Sequence, residues 1–145
     1  MLRQGSSITQ LISNQAAATD ATLIDTTVFQ VFDFDAVTFE LNVSQVAATT
    51  NTTNVYLQTQ DASGNWLDMV HFQQIVASGT NSYFATVPVS GGRIYIGQVA
   101  TTSIAASGIG APILSRAVRV VGLIGGSNPT TSYTVKAWFN HQTTR

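Results

Sequence analysis

Two extended runs and the turn between them constrain this chain more than any other stretch. Asn54 to Phe72 reads NVYLQTQDASGNWLDMVHF. Val55, Leu57 and Thr59 alternate with Tyr56, Gln58 and Gln60, the period of a strand with one face turned inward. The run stops at Asp61-Ala62-Ser63-Gly64-Asn65, where Asp and Asn bond their own backbone and Gly takes a positive φ, and it restarts at Trp66. This is the pattern of a β-hairpin. The Trp66 ring is expected to be buried, pinning the hairpin against a second sheet.

The same alternation recurs along the chain. Val37, Phe39, Leu41 and Val43 alternate with Thr38, Glu40 and Asn42, and the preceding VFQVFDFD sets Phe32 and Phe34 against Asp33 and Asp35. Gln73 to Ala77 extends the hairpin's second strand to a turn at Ser78 to Asn81. Tyr83, Ala85, Val87 and Val89 follow at period two, with Pro88 marking an edge strand or a strand end because it has no N–H for a ladder. Arg93 to Val99 is a further short run, and Ala100 to Pro112 is a loop of small residues, longer than hairpin connections usually are. Ile113 to Leu123 is apolar on both faces, as a covered central strand would be. After Gly125 to Pro129, residues Tyr133, Val135, Ala137 and Phe139 alternate with Thr134, Lys136, Trp138 and Asn140. The expectation is an all-β, two-sheet antiparallel β-sandwich of jelly-roll or Ig-like topology over residues 21–145.

Residues 1–20 lack this pattern. They carry Ile8, Leu11 and Ile12 among Ser, Gln, Asn and Ala, and the spacing of the three also fits one helical turn. They are read as an extended N-terminal arm, ordered where its aliphatic anchors dock on a partner and removable with the fold intact, with a disordered terminus as the alternative. Trp138 is the other candidate, since parity places it opposite Tyr133 and Phe139: either both faces of its strand are covered, or Trp138 is an anchor for a partner.

Composition narrows the function. Ser, Thr, Asn and Gln make up 52 of the 145 residues and charged residues only 13, with Lys136 the single lysine. Globular proteins usually have about a quarter charged. A surface of hydroxyls and amides repels its neighbours weakly, so self-association as a homotrimer or another small ring, through contacts that salt hardly screens, is expected. The formal charge of −1 and the scattered basic residues argue against nucleic acid. No cysteine is present, which removes disulfides, zinc-thiolate sites and thiol nucleophiles. No run reaches the roughly 18 apolar residues of a membrane span, and the start has no signal-like apolar core. The chain is expected to be made in a cytoplasm and used away from membranes.

No catalytic, cofactor or metal site is expected. Asp61, Ser63, Asn65 and Asp68 alternate like calcium ligands, but Trp66 stands where that loop requires Gly, and Asx turns explain the same residues. Asp33 and Asp35 read as solvated or Arg-paired rather than as a catalytic pair. His71 and His141 are too few for a metal centre, Gly108-Ile109-Gly110 lacks the third glycine of a phosphate loop, and no Ser sits in a G-x-S-x-G elbow.

The order of a DTTVFQVFDFDAVTFELNV segment, a VYLQTQDASGNW hairpin, a Gly-Thr turn and a final RVVGLIGGSNPTTSYTVKAW hairpin resembles small virion proteins of tailed bacteriophages, head decoration or cement proteins above all. The resemblance runs from about Leu23 to Phe139 through loose patterns of hydrophobics and turns. It implies a β-sandwich, often trimeric, that sits on the outer capsid surface and clamps major capsid subunits, frequently by a terminal arm, with no catalytic residues. A phage neck or tail role, and a carbohydrate-binding module with Trp66 or Trp138 as stacking platform, are the alternatives.

Overall fold

The computed structural model describes residues 8–17, 21–28, 36–46, 51–76, 78–88, 117–126 and 130–140. They contain eight strands: β1 (Ile8–Ala17), β2 (Ala21–Val28), β3 (Ala36–Val46), β4 (Thr52–Gln60), β5 (Trp66–His71), β6 (Gly79–Pro88), β7 (Ala117–Gly125) and β8 (Thr130–Asn140). One four-stranded sheet, sheet A, has the order β1-β8-β3-β6, and the other, sheet B, has β2-β7-β4-β5. All pairings are antiparallel.

The order has a simple origin. First pairs with last, second with seventh, third with sixth, and β4 with β5. These pairs form one long two-stranded ribbon whose tip is the β4–β5 hairpin. Rolling the ribbon brings β3 against β8 and β4 against β7, which closes the two sheets. This is the jelly roll, and it decides against the Ig-like alternative.

Period-two patterning puts the apolar residues between the sheets. Val37, Phe39, Leu41 and Val43 of β3, with Tyr133, Val135, Ala137 and Phe139 of β8, form one inner wall. Val55 and Leu57 of β4, Met69 and Val70 of β5, and Val118, Val120 and Ile124 of β7 form the other. β7 lies between β2 and β4, the central position expected for it, but it is not covered on both sides: Leu123 on its outer side is exposed. Pro88 is the last residue of β6, itself the edge of sheet A, as expected for a residue without an N–H.

The two walls are tied by one close contact. The Tyr133 ring crosses from sheet A to lie against Gly122 of β7: a Cβ there would stand 2.4 Å from the Tyr133 hydroxyl oxygen and 2.7 Å from Cε1. Only glycine fits. Burial pushes the Tyr133 hydroxyl up to about 12, with Ser13 beside it offsetting part of the shift and Asp25 adding to it. No group among the described residues meets that hydroxyl at hydrogen-bond geometry. With the folded value raised above the ordinary 10, this group's stabilising share is complete below pH 10 and lost as pH rises through about 12. A second tie is polar: Thr53 of β4 donates to Gln45 of β3 at 2.6 Å and lies 3.3 Å from the Thr131 hydroxyl of β8, all three side chains being buried. Satisfied in this way, they cost little to bury.

The segment set apart as an arm contributes a strand. Ile8–Ala17 pairs with β8 as the edge of sheet A, with a register shift between Leu11 and Ser13. Ile12 sits at that bulge and is 5% exposed in the core, whereas Leu11 is 54% exposed. Ser13 and Gln15 donate to Asp25 of β2 at 2.7 and 2.8 Å, tying the edges of the two sheets. The sandwich therefore begins inside the first twenty residues, and removing residues 2–18 would strip an edge strand and open the core at Ile12. Two further expectations differ from the structure. β5 ends at His71, beyond which Ile75 keeps only an isolated bridge to Thr53, and β3 runs on to Val46, where a polar loop was expected from Ser44. Residues 29–35, 89–116 and 141–145 lie outside the described residues, and with them Asp33, Asp35, the Arg93 to Val99 run, the Ala100 to Pro112 loop and His141.

Ile12 and Leu11 separate the two sides of β1 experimentally. Ile12→Ala is expected to cost about 2 to 4 kcal/mol in urea unfolding and Leu11→Ala less than about 0.5 kcal/mol. Equal small effects would mean that β1 does not belong to the folded unit.

Candidate functional site on the outer sheet faces

With the inner positions given to the core, whatever this protein recognises must meet its outer faces, turns or edges. Sheet A's outer face is built from the alternate residues of four strands. Its rows across β1, β8, β3 and β6 are Leu11–Lys136–Glu40–Phe84, Asn14–Thr134–Asn42–Ser82 and Ala16–Ser132–Ser44–Thr80. Trp138 and Thr38 extend the face on β8 and β3, next to Thr86 of β6. Phe84 is 61% exposed and Trp138 39%, and their rings meet edge to face with centroids 6.5 Å apart. The polar members are knitted sideways: Thr38 and Thr86 hydroxyls lie 3.0 Å apart, Asn42 donates to Glu40 at 2.9 Å, and Ser82 donates to Asn42. Such a face is stiff, because its side chains are held by one another.

Of the four anchors named from the sequence, the structure brings Leu11 and Trp138 to this one face and spends Ile12 in the core. Ile8 is placed only by its backbone, opposite Phe139. Phe84, the most exposed aromatic ring described, was missed. The signal was present, since parity sets Phe84 against Tyr83, Ala85 and Val87.

The outer face of sheet B differs. Ile24 and Leu123 are exposed beside the covered Val121, and Val28 is exposed at the end of β2. Toward β4 and β5 lies a self-satisfied polar network. Arg119 donates through Nε to Gln58 Oε1 at 2.8 Å and through a second guanidinium nitrogen to the same oxygen, and Gln58 Nε2 donates to Asp68 at 2.7 Å. The guanidinium also lies 4.6 Å from the Trp66 ring centroid, a cation–π contact. Tyr56 stacks on His71 at 3.9 Å, and His71 Nε2 lies 3.1 Å from Asn54 Oδ1. Burial lowers the Arg119 pKa against the pull of Asp68; it raises that of Tyr56, with Asp68 adding to the rise.

Trp66 is therefore on the outside, not between the sheets. The reason is register: the Asp61 to Asn65 turn sets Trp66 opposite Gln60, whose parity already faces outward. That turn is held by Asp61, which accepts from the backbone N–H of Ser63 and of Asn65, both at 2.8 Å, and from the Asn65 amide at 3.0 Å. Gly64 takes φ +88 within it. The hydrogen bonds to Asn65 and Ser63 hold the Asp61 carboxyl below its ordinary range. Both Asp61 oxygens are committed to N–H donors, so the turn reading accounts for the residues whose spacing resembles a calcium loop. Among the described residues, no three His, Cys, Asp or Glu side chains gather as metal ligands.

Compared with known proteins, the chain matches no family model, no curated protein and no solved structure.

The outward position of Trp66 has a measurable consequence. Trp66→Ala is expected to cost about 1 to 2 kcal/mol, the share of a half-buried ring with one cation–π contact, rather than the 3 to 5 kcal/mol or so of a ring between the sheets. A loss in the larger range on chemical denaturation would return Trp66 to the core.

Proposed function

We propose that this protein is a virion structural subunit that binds the outer surface of a bacteriophage capsid and stabilises it as a decoration, or cement, protein. The observation that carries the reading is that a charge-poor sandwich turns exposed large apolar side chains outward on both sheets: Leu11, Phe84 and Trp138 on one, Ile24, Val28 and Leu123 on the other. A subunit that clamps neighbours needs two adhesive sides. Hydroxyls and amides around each apolar group form short-range bonds that salt barely screens, which suits attachment in changing ionic conditions. The jelly roll adds a fold-level analogy, since capsid domains use it widely, though lectins do too. In this role the chain carries out no catalysis. It would be made in the host cytoplasm and would bind major capsid protein and further copies of itself. Each copy adds buried area across a junction of the shell, and many copies together resist the pressure of packaged DNA.

One observation favours a second reading, a carbohydrate-binding module: Trp66 and Tyr56 stand outside the core beside the amides and carboxylate of Gln58, Asn54 and Asp68. The Arg119 guanidinium over the indole weighs against an open stacking platform.

Co-sedimentation with purified phage heads lacking their decoration protein separates the two. The full chain is expected to pellet with heads at saturable occupancy. Ile24→Asp, at an exposed position, should lower that occupancy about tenfold or more without shifting the melting transition. Absence of pelleting, combined with glycan-array binding that Trp66→Ala abolishes, would replace the first reading with the second.

A further inference from the structure

The outer face of sheet A is complementary to itself. Its central row reads apolar, positive, negative, apolar: Leu11 on β1, Lys136 on β8, Glu40 on β3 and Phe84 on β6. Turned over about an axis that runs along the strands between β8 and β3, the row meets its own reverse. Lys136 then faces Glu40 of the copy, and Leu11 faces Phe84. The neighbouring rows obey the same operation: Thr134 meets Asn42, Asn14 meets Ser82, and Ser132 meets Ser44. We propose that this face is an isologous interface, packed two-fold against the same face of a second copy of this chain.

Charge supports that occupant. The row's two charged groups have opposite sign and occupy the middle of the face, where β8 and β3 pair. Lys136 is the only lysine of the chain, and it has no ion pair or hydrogen bond among the described residues. A partner of one sign would leave one of the two unmatched, whereas a second copy matches both. Size supports it as well. Four strands about 4.8 Å apart and about ten residues long, at about 3.3 Å each, present roughly 600 Å² per copy, or roughly 1,200 Å² for the pair, the lower end of specific interfaces. Sheets packed face to face also prefer strands within about 30° of parallel, which this axis provides. The inference rests on strand register and not on the decoration reading; if both hold, sheet B's outer face is left for the shell.

The test uses the full chain in solution, without phage heads, so its failure is distinct from a failure of the decoration reading. Sedimentation equilibrium near 50 µM, a concentration of about the order at which weak specific pairs form, is expected to give twice the 15.4 kDa chain mass. Lys136→Glu and Glu40→Lys should each be monomeric, since each sets like charges opposite one another across the axis. Mixing these two variants should restore the dimer as a heterodimer, although each chain alone keeps like charges side by side on β8 and β3. That rescue cannot come from a change inside one chain. Phe84→Ala, at an exposed position that does not threaten the fold, should weaken the dimer about tenfold or more. The proposal is overturned by a monomeric or three-chain mass for the unaltered protein, by dimers that ignore both charge reversals, by a mixture that stays monomeric, or by an undiminished Phe84→Ala dimer.

Discussion

The contact on which the rest of this structure depends is the Tyr133 ring against Gly122. It joins β8 in one sheet to β7 in the other, and it leaves less than van der Waals room for a single added carbon. A contact of this kind sets both the spacing of the sheets and the register in which they face each other, because close-packed interiors do not deform continuously. The ring's buried hydroxyl, which meets no hydrogen-bond partner among the described residues, opposes the gain. Ring burial and close packing must outweigh that opposition at neutral pH.

Once the walls are fixed, parity follows. β3, β4, β6 and β8 contribute alternate residues to the apolar core, and the other half of their residues is released from packing duty. Here that half is mostly hydroxyl and amide, joined sideways into ladders, with a few exposed apolar rings and branched chains. The rolled-ribbon topology then distributes these residues. Because first pairs with last, distant segments of the chain lie side by side on each face, and Leu11, Lys136, Glu40 and Phe84 fall into one row. These outer faces are therefore products of topology, assembled from strands distant in the chain.

This explains which parts could be read from the sequence. The inner faces of β3, β4 and β8 were legible residue by residue, since period two is local, as were the Asp61 turn and the edge position of Pro88. β1 was not, because the bulge between Leu11 and Ser13 turns Ile12 and Ser13 both inward and breaks the alternation, so that the spacing of Ile8, Leu11 and Ile12 mimics a helical turn. Trp66 was misplaced because its side of the sheet is inherited across the turn from Gln60. Counting five turn residues from an outward Gln60 would have found it. The candidate faces were legible only one strand at a time: Trp138 was named, yet its neighbours Phe84 and Leu11 come from strands whose order no local pattern contains.

The central claim is that alternate residues divide into a closed core and faces available for association. The chain has no cysteine, so single cysteines placed at each position from Val37 to Ser44 can be labelled one at a time. Cysteines at 37, 39, 41 and 43 should resist labelling at all protein concentrations. Those at 38, 42 and 44 should label readily in dilute solution and become protected as concentration rises, whereas a cysteine at 40 removes the partner of Lys136 and should stay reactive. Uniform labelling along β3 would contradict the sandwich, and positions 38, 42 and 44 that stay reactive at high concentration would contradict the assignment of that face to association.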